Sequence, residues 1–149
     1  MIMKRYRSIS ILFVSILLGS SLMAQSALPE LTVIGNKTGI ESTSLKEIKQ
    51  IFKGKYSSWP IAKSTVTIVL PSPKSPNAQK VATQIYGNTV SGVQKYWLSL
   101  VFQGRANPPI FLDSDEEIIE IVRKNSGSIG IISSSYPSIP KSLVINIVN

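Results

Sequence analysis

The chain has 149 residues, of which 16 are Lys or Arg and 8 are Asp or Glu, for a formal net charge of +8. It contains no His and no Cys. That composition excludes a zinc site of the usual nitrogen and sulfur type, a Ser-His-Asp triad, a Cys-His pair, a lipidated cysteine and any disulfide, so packing alone must hold the fold.

Lys4, Arg5 and Arg7 form a basic stretch, Ile9 to Leu18 an apolar one, and Ser20, Ser21, Ala24 and Ser26 supply small residues. This is the order of a secretory signal peptide, with cleavage expected after Ala24 and, as second choice, after Ser26. The apolar run is about ten residues, against the roughly 20 of a membrane-spanning helix, so the mature form is expected to be periplasmic and not to span the membrane. Residues 25–149 then make one domain with one core. Three basic residues leave with residues 1–24, and 13 cations face 8 anions, a net +5. That excess favours anionic partners through a general field; export argues against nucleic acid.

Leu31 to Ile34 reads as a first strand ending at Gly35. Ser44 with Glu47 forms a capping box that starts a helix, Leu45, Ile48, Ile51 and Phe52 face inward, and Gly54 stops it. The loop from Lys55 to Lys63 carries Tyr56, Trp59 and Pro60, which cover the core edge in one reading and bind a ligand in another.

Val66 to Leu70 is a β-rich apolar run that reads as a buried strand ended by Pro71. Ala78, Val81, Ala82 and Ile85 then recur at helical spacing. Ser75 is suited to the N-cap, Pro76 to the first turn and Gly87 to the C-terminal stop. A strand feeding a loop that opens a helix N-terminus directs free N–H groups and the positive dipole end at that loop. Ser72, Lys74, Ser75, Asn77 and Lys80 surround it, as an anion site or as an ordinary capped connection with solvated lysines.

A further helix follows, capped by Asn88 or Thr89, with Val90, Val93, Trp97, Leu100 and Val101 as its apolar stripe and Gly104 as its end. Tyr96 and Trp97 belong to the core or to a binding platform. Pro108 and Pro109 stiffen the next loop. Arg105 within it is an anion ligand or a solvated charge. The acidic run Asp113 to Glu117 resembles a metal or catalytic cluster, but Ser114 with Glu117 is a second capping box, and acids in a first turn suit the macrodipole. Ser128 to Ile132 and Leu143 to Val148 are the last two strands. The order β-α-β-α-α-α-β-β predicts one α/β domain with a mixed, mostly parallel sheet flanked by helices.

Three segments carry a resemblance. IFKGKYSSWP (Ile51 to Pro60) resembles the IF-x-GK…W signature of phosphate ABC-transporter substrate-binding proteins, YW…FQGRANPP (Tyr96 to Pro109) resembles a segment of their short single-domain relatives, and NSGSIGII (Asn125 to Ile132) is similar to their PGAIGYV turn and strand. The resemblance implies a single lobe of a type II periplasmic-binding-protein fold. It also implies an anion loop at Ser75, and it departs from the family there. The family has an arginine and Ser-Gly-Thr at this loop, whereas this chain reads Pro73-Lys74-Ser75-Pro76-Asn77. Lys74 cannot reproduce a bidentate arginine, and Pro76 removes one N–H donor.

The expectation is therefore a non-enzymatic, exported, solute-binding-like protein without a cofactor, taking phosphate or a related oxyanion weakly through Ser72, Lys74, Ser75 and Asn77, with Arg105 as accessory. Linkage to phosphate ABC transport follows from the resemblance. The alternative is an interaction module on the same fold, meeting a periplasmic or membrane protein partner.

Overall fold

A computed structural model describes residues 27–148 of the chain. The signal-peptide assignment of residues 1–24 lies outside the described residues. Chain order is β1 (Leu31–Gly35), β2 (Ser42–Ser44), α1 (Leu45–Phe52), β3 (Thr67–Pro71) and α2 (Ala78–Val81), which widens into a π-helical turn over Ala82–Tyr86. Then come α3 (Val90–Phe102), β4 (Ile110–Leu112), α4 (Asp115–Lys124), β5 (Ser128–Ser133), a 3-10 turn (Lys141–Leu143) and β6 (Asn146–Val148). The main sheet runs β1-β5-β3-β4; β1 is antiparallel to β5, and β5, β3 and β4 are mutually parallel. β2 and β6 pair parallel in a separate two-stranded sheet.

Strand periodicity divides the core. Val33, Ile68, Leu70, Ile129 and Ile131 pack on one face against Ile48, Ile51 and Phe52 of α1 and Val93, Trp97 and Leu100 of α3. On the opposite face Ile34, Val69 and Ile132 meet Ile118, Ile119 and Val122 of α4. The close approach of α4 requires a glycine in β5, because a Cβ on Gly130 would lie 2.8 Å from Ile118 Cγ2. Trp59 resolves as core: it is fully buried and its indole N–H donates to Gly127 O at 2.8 Å. Trp97 donates to the Tyr86 hydroxyl (3.0 Å), which donates in turn to Phe52 O (2.6 Å).

The structure corrects several boundaries. β2 and β4 are strands of three residues, too short to show a period, and their existence depends on partners distant in sequence. Pro71 is the last residue of β3 and not the first outside it; it pairs with Leu112 of β4 but lies beyond the β3–β5 ladder, which ends at Val69, so no donor is required of it there. The box at α1 is half made: Ser44 Oγ accepts from Glu47 N, but the Glu47 carboxylate turns away to Lys55 (2.9 Å) and Tyr56 (2.6 Å). Ser75 does not open regular α-helix directly. Its hydroxyl accepts from Asn77 N and its carbonyl from Ala78 N, closing a tight turn before α2. The last strand is shorter than expected, since Leu143 lies in the 3-10 turn and Val144 bridges Ile34. Among the described residues no helix is long and apolar enough to cross a membrane.

Candidate functional site

Because β3, β4 and β5 are parallel, they end on one edge of the sheet, the edge where open α/β sheets place ligands. Ser72 follows β3, Asp113 follows β4, and Ser133 closes β5. Ser72 N donates to Leu112 O at 2.7 Å, joining the first two loops. The Ser72 hydroxyl donates to the Asp113 carboxylate and accepts from Lys74 N at 3.2 Å. The chain then turns, Ser75 N reaching Ser72 O at 2.9 Å. Asn77 Nδ2 donates to both oxygens of Asp115 (2.9 and 3.2 Å), and Asp115 Oδ2 also accepts from Ser133 N at 3.1 Å.

Ser72, Ser75 and Asn77 are 7%, 6% and 6% exposed, so these three side chains are built into the fold, while Pro73, Lys74 and Pro76 between them are exposed. Ser72 and Asn77 spend donors on carboxylates. Ser75 differs. Its Oγ accepts from Asn77 N at 3.3 Å, and its own hydroxyl hydrogen has no acceptor among the described residues. Lys74 is exposed beside it. Lys80, at the far end of α2, pairs with Glu30 at 2.9 Å.

The structure brings Ser72, Lys74, Ser75 and Asn77 together but does not bring Arg105 to them. β4 begins at Ile110 opposite Val69, so Arg105 precedes the start of β4 while Ser72 follows the end of β3. The two residues flank opposite ends of one strand pair. In place of the arginine, the loop has Asp113 and Asp115. Helix initiation accounts for part of their placement, and the capping box is present in full: Ser114 Oγ accepts from Glu117 N, and the Glu117 carboxylate from Ser114 N. The additional contacts of Asp113 and Asp115 were not visible in the sequence. The available signal was that two short acids at the start of a helix after a strand lie beside the adjacent βα loop. No three-residue group of carboxylates suited to a metal ion occurs among the described residues.

The chain matches no protein-family model. No curated protein matches it either. Solved structures do. A phosphate ABC-transporter substrate-binding protein from Clostridium perfringens, with phosphate bound, superposes at a TM-score of 0.55 and 20% identity, covering 79% of this chain and 44% of that one. PstS from Borrelia burgdorferi superposes at 0.54 and 17%, covering 79% and 47%. The chain thus spans less than half the length of these proteins. At such identities the likeness concerns architecture, and the chain has the mixed α/β fold found in phosphate ABC-transporter substrate-binding proteins.

Proposed function

We infer that this is an exported, non-catalytic, solute-binding-like protein that captures phosphate or a related oxyanion weakly at the Ser72–Asn77 loop. The observation that carries the reading is Ser75: a buried hydroxyl with an uncommitted hydrogen at the C-terminal edge of the three parallel strands, with Lys74 alongside. Ser72 and Asn77 hold that hydroxyl in place through their bonds to Asp113 and Asp115. The carboxylates bear on selectivity. A fully deprotonated oxyanion is repelled by them, whereas a protonated phosphate can donate to one. Affinity is low because the edge is open to water, which hydrates the anion and screens Lys74. A role beside a phosphate ABC transporter rests on the fold likeness alone.

Calorimetric titration of residues 25–149 with phosphate, and with sulfate as control, tests this at low and physiological salt. Weak, salt-sensitive binding of phosphate in preference to sulfate, lost in Ser75→Ala, is the expected result. Equal binding of both anions, or unchanged binding in Ser75→Ala, refutes it. The second reading, a protein-interaction module, is favoured by Leu98 and Phe102, one turn apart on α3 and 57% and 82% exposed. It predicts no stabilisation by any small anion.

A further inference from the structure

A recess lies at the other end of the β3–β4 pair, formed by the Gly54–Ser57 turn, the residues that open β3, and the segment from Arg105 to Pro108, with Trp97 also in its lining. It encloses about 90 Å³. We propose that this recess binds a small organic carboxylate, the carboxylate pairing with Arg105 and the hydrocarbon body lying against Val66, Ile68 and Trp97. The proposal is independent of the oxyanion reading of the Ser72–Asn77 loop.

Charge is the first argument. Among the described residues Arg105 is the one ionised side chain in the lining, which holds no Asp or Glu. Its guanidinium is barely committed: its hydrogen bond within the chain is to Gln103 Oε1 at 3.4 Å, long for such a bond. Lys53 and Lys55 extend the positive field along an adjoining groove that shares Gly54 and Arg105 with the recess. Lys55 is neutralised by Glu47, but Lys53 has no ion pair among the described residues. The edge at Ser72 is the reverse, a loop in which the Ser72 and Asn77 donors are taken by two carboxylates.

The walls supply the rest of the chemistry. The side chains of Ser57, Thr65, Thr67 and Asn107 offer hydroxyl and amide groups with no partner within the described residues. Val66, Ile68, Trp97 and Pro108 are apolar. A dianion such as phosphate would have to shed much of its hydration against these walls for a single arginine. A carboxylate carries one charge, matches the planar guanidinium fork, and gains from burying its carbon atoms. One water needs roughly 10–15 Å³ of such space, so the recess has room for a head group and a short chain. The carboxylate can come from a free acid or from the C-terminus of a peptide.

The test is amide chemical-shift titration of the ¹⁵N-labelled protein with propionate, with propionamide as neutral control, and with a short peptide bearing a free or an amidated C-terminus. Propionate is expected to shift Thr65 to Ile68, Ala106 and Asn107, while propionamide does not. Arg105→Gln should weaken binding about tenfold or more, and Arg105→Lys, which keeps the charge without the fork, by less. Ser72→Ala should leave it unchanged. If the free-acid peptide shifts the same amides and the amidated peptide does not, the peptide terminus is a second source of the same ligand. Arg105 is exposed, so its variants retain the fold, checked by the unperturbed spectrum. Absent shifts, equal response to propionamide, unchanged binding in Arg105→Gln, a stronger response to phosphate at these amides, or shifts confined to Ser72–Asn77 would each overturn the proposal.

Discussion

Replacing Asp115 by alanine releases the loop of the candidate oxyanion site from the sheet edge. Asp115 accepts from Asn77 Nδ2 through both oxygens and from Ser133 N, so one half-buried carboxylate ties together three elements: the loop before α2, the first residue of α4 and the end of β5. A hydrogen bond to a charged group contributes about 1.5–3 kcal/mol, and the favourable place of an acid in a first helical turn adds roughly 0.5 kcal/mol. Partial exposure reduces the sum, so Asp115→Ala is expected to cost about 2–4 kcal/mol. Urea unfolding reads this as a lower midpoint at unchanged slope. A double-mutant cycle with Asn77→Ala isolates the side-chain pair, and a coupling of about 1 kcal/mol or more is expected. Coupling within about 0.3 kcal/mol, the scatter of independent sites, would refute the claim that Asp115 holds Asn77. Asp115→Asn separates charge from geometry, since an amide oxygen can still accept from Ser133 N.

Three other outcomes follow from the same structure. Gly130→Ala places a Cβ 2.8 Å from Ile118 Cγ2 and 3.1 Å from Val122 Cγ2; chemical denaturation is expected to show a loss of about 1–3 kcal/mol from overpacking, and a loss below about 0.5 kcal/mol would mean that α4 moves outward freely. Burial raises the Tyr86 phenol well above its ordinary 10.0, partly offset by the Trp97 indole hydrogen bond. Its contribution is therefore complete below pH 10.0 and is lost as pH rises beyond it; Tyr86→Phe should flatten part of the alkaline fall in stability, leaving the part due to Tyr96, which burial also raises. The Tyr56 hydroxyl, followed by Lys55, holds the Glu47 carboxyl below its ordinary 4.5. That contribution is present above pH 4.5 and lost as acid titrates the group, so Glu47→Gln should show a shallower acid limb in thermal melts recorded from pH 6 to 3, with an unchanged limb counting against it.

Elements whose signals are local were legible in the sequence. Ser114 with Glu117, and the spacing of Ile118 and Val122, announce α4 without reference to the rest of the chain, and Ile68 to Leu70 announces a buried strand. β2 and β4 were hidden for the opposite reason. Ser42–Ser44 has no apolar period and is extended because β6 lies beside it. The site was half legible. Ser72, Ser75 and Asn77 share one loop, so their proximity follows from the chain itself. Asp113 and Asp115 reach them only because β4 lies next to β3; helix capping accounts for these acids by itself, and the one sequence signal for a second role is their place in a βα loop, which points to Ser72 only once the strand order is known. Arg105 misled by motif: it belongs to a segment that resembles the phosphate-binding family, yet sheet direction carries it to the other end.

The two ends of the β3–β4 pair therefore have opposite electrostatics, and this governs how each must respond to pH. Five of the eight carboxylates outside residues 1–24 fall between Asp113 and Glu120, and two of these face the Ser72–Asn77 loop. A phosphate at Ser75 must coexist with those charges, so its binding should strengthen from pH 8 to 6 as more of it carries the protons that a carboxylate can accept. The recess at Arg105 has no Asp or Glu in its lining, so a carboxylate held there should bind equally across this range and weaken only where the acid itself protonates. Residue-resolved titrations at pH 6 and 8 distinguish the two. Phosphate binding at Ser75 that strengthens toward pH 8 would mean that Lys74, not the aspartates, sets the local potential, and the selectivity assigned to Asp113 and Asp115 would fall with it.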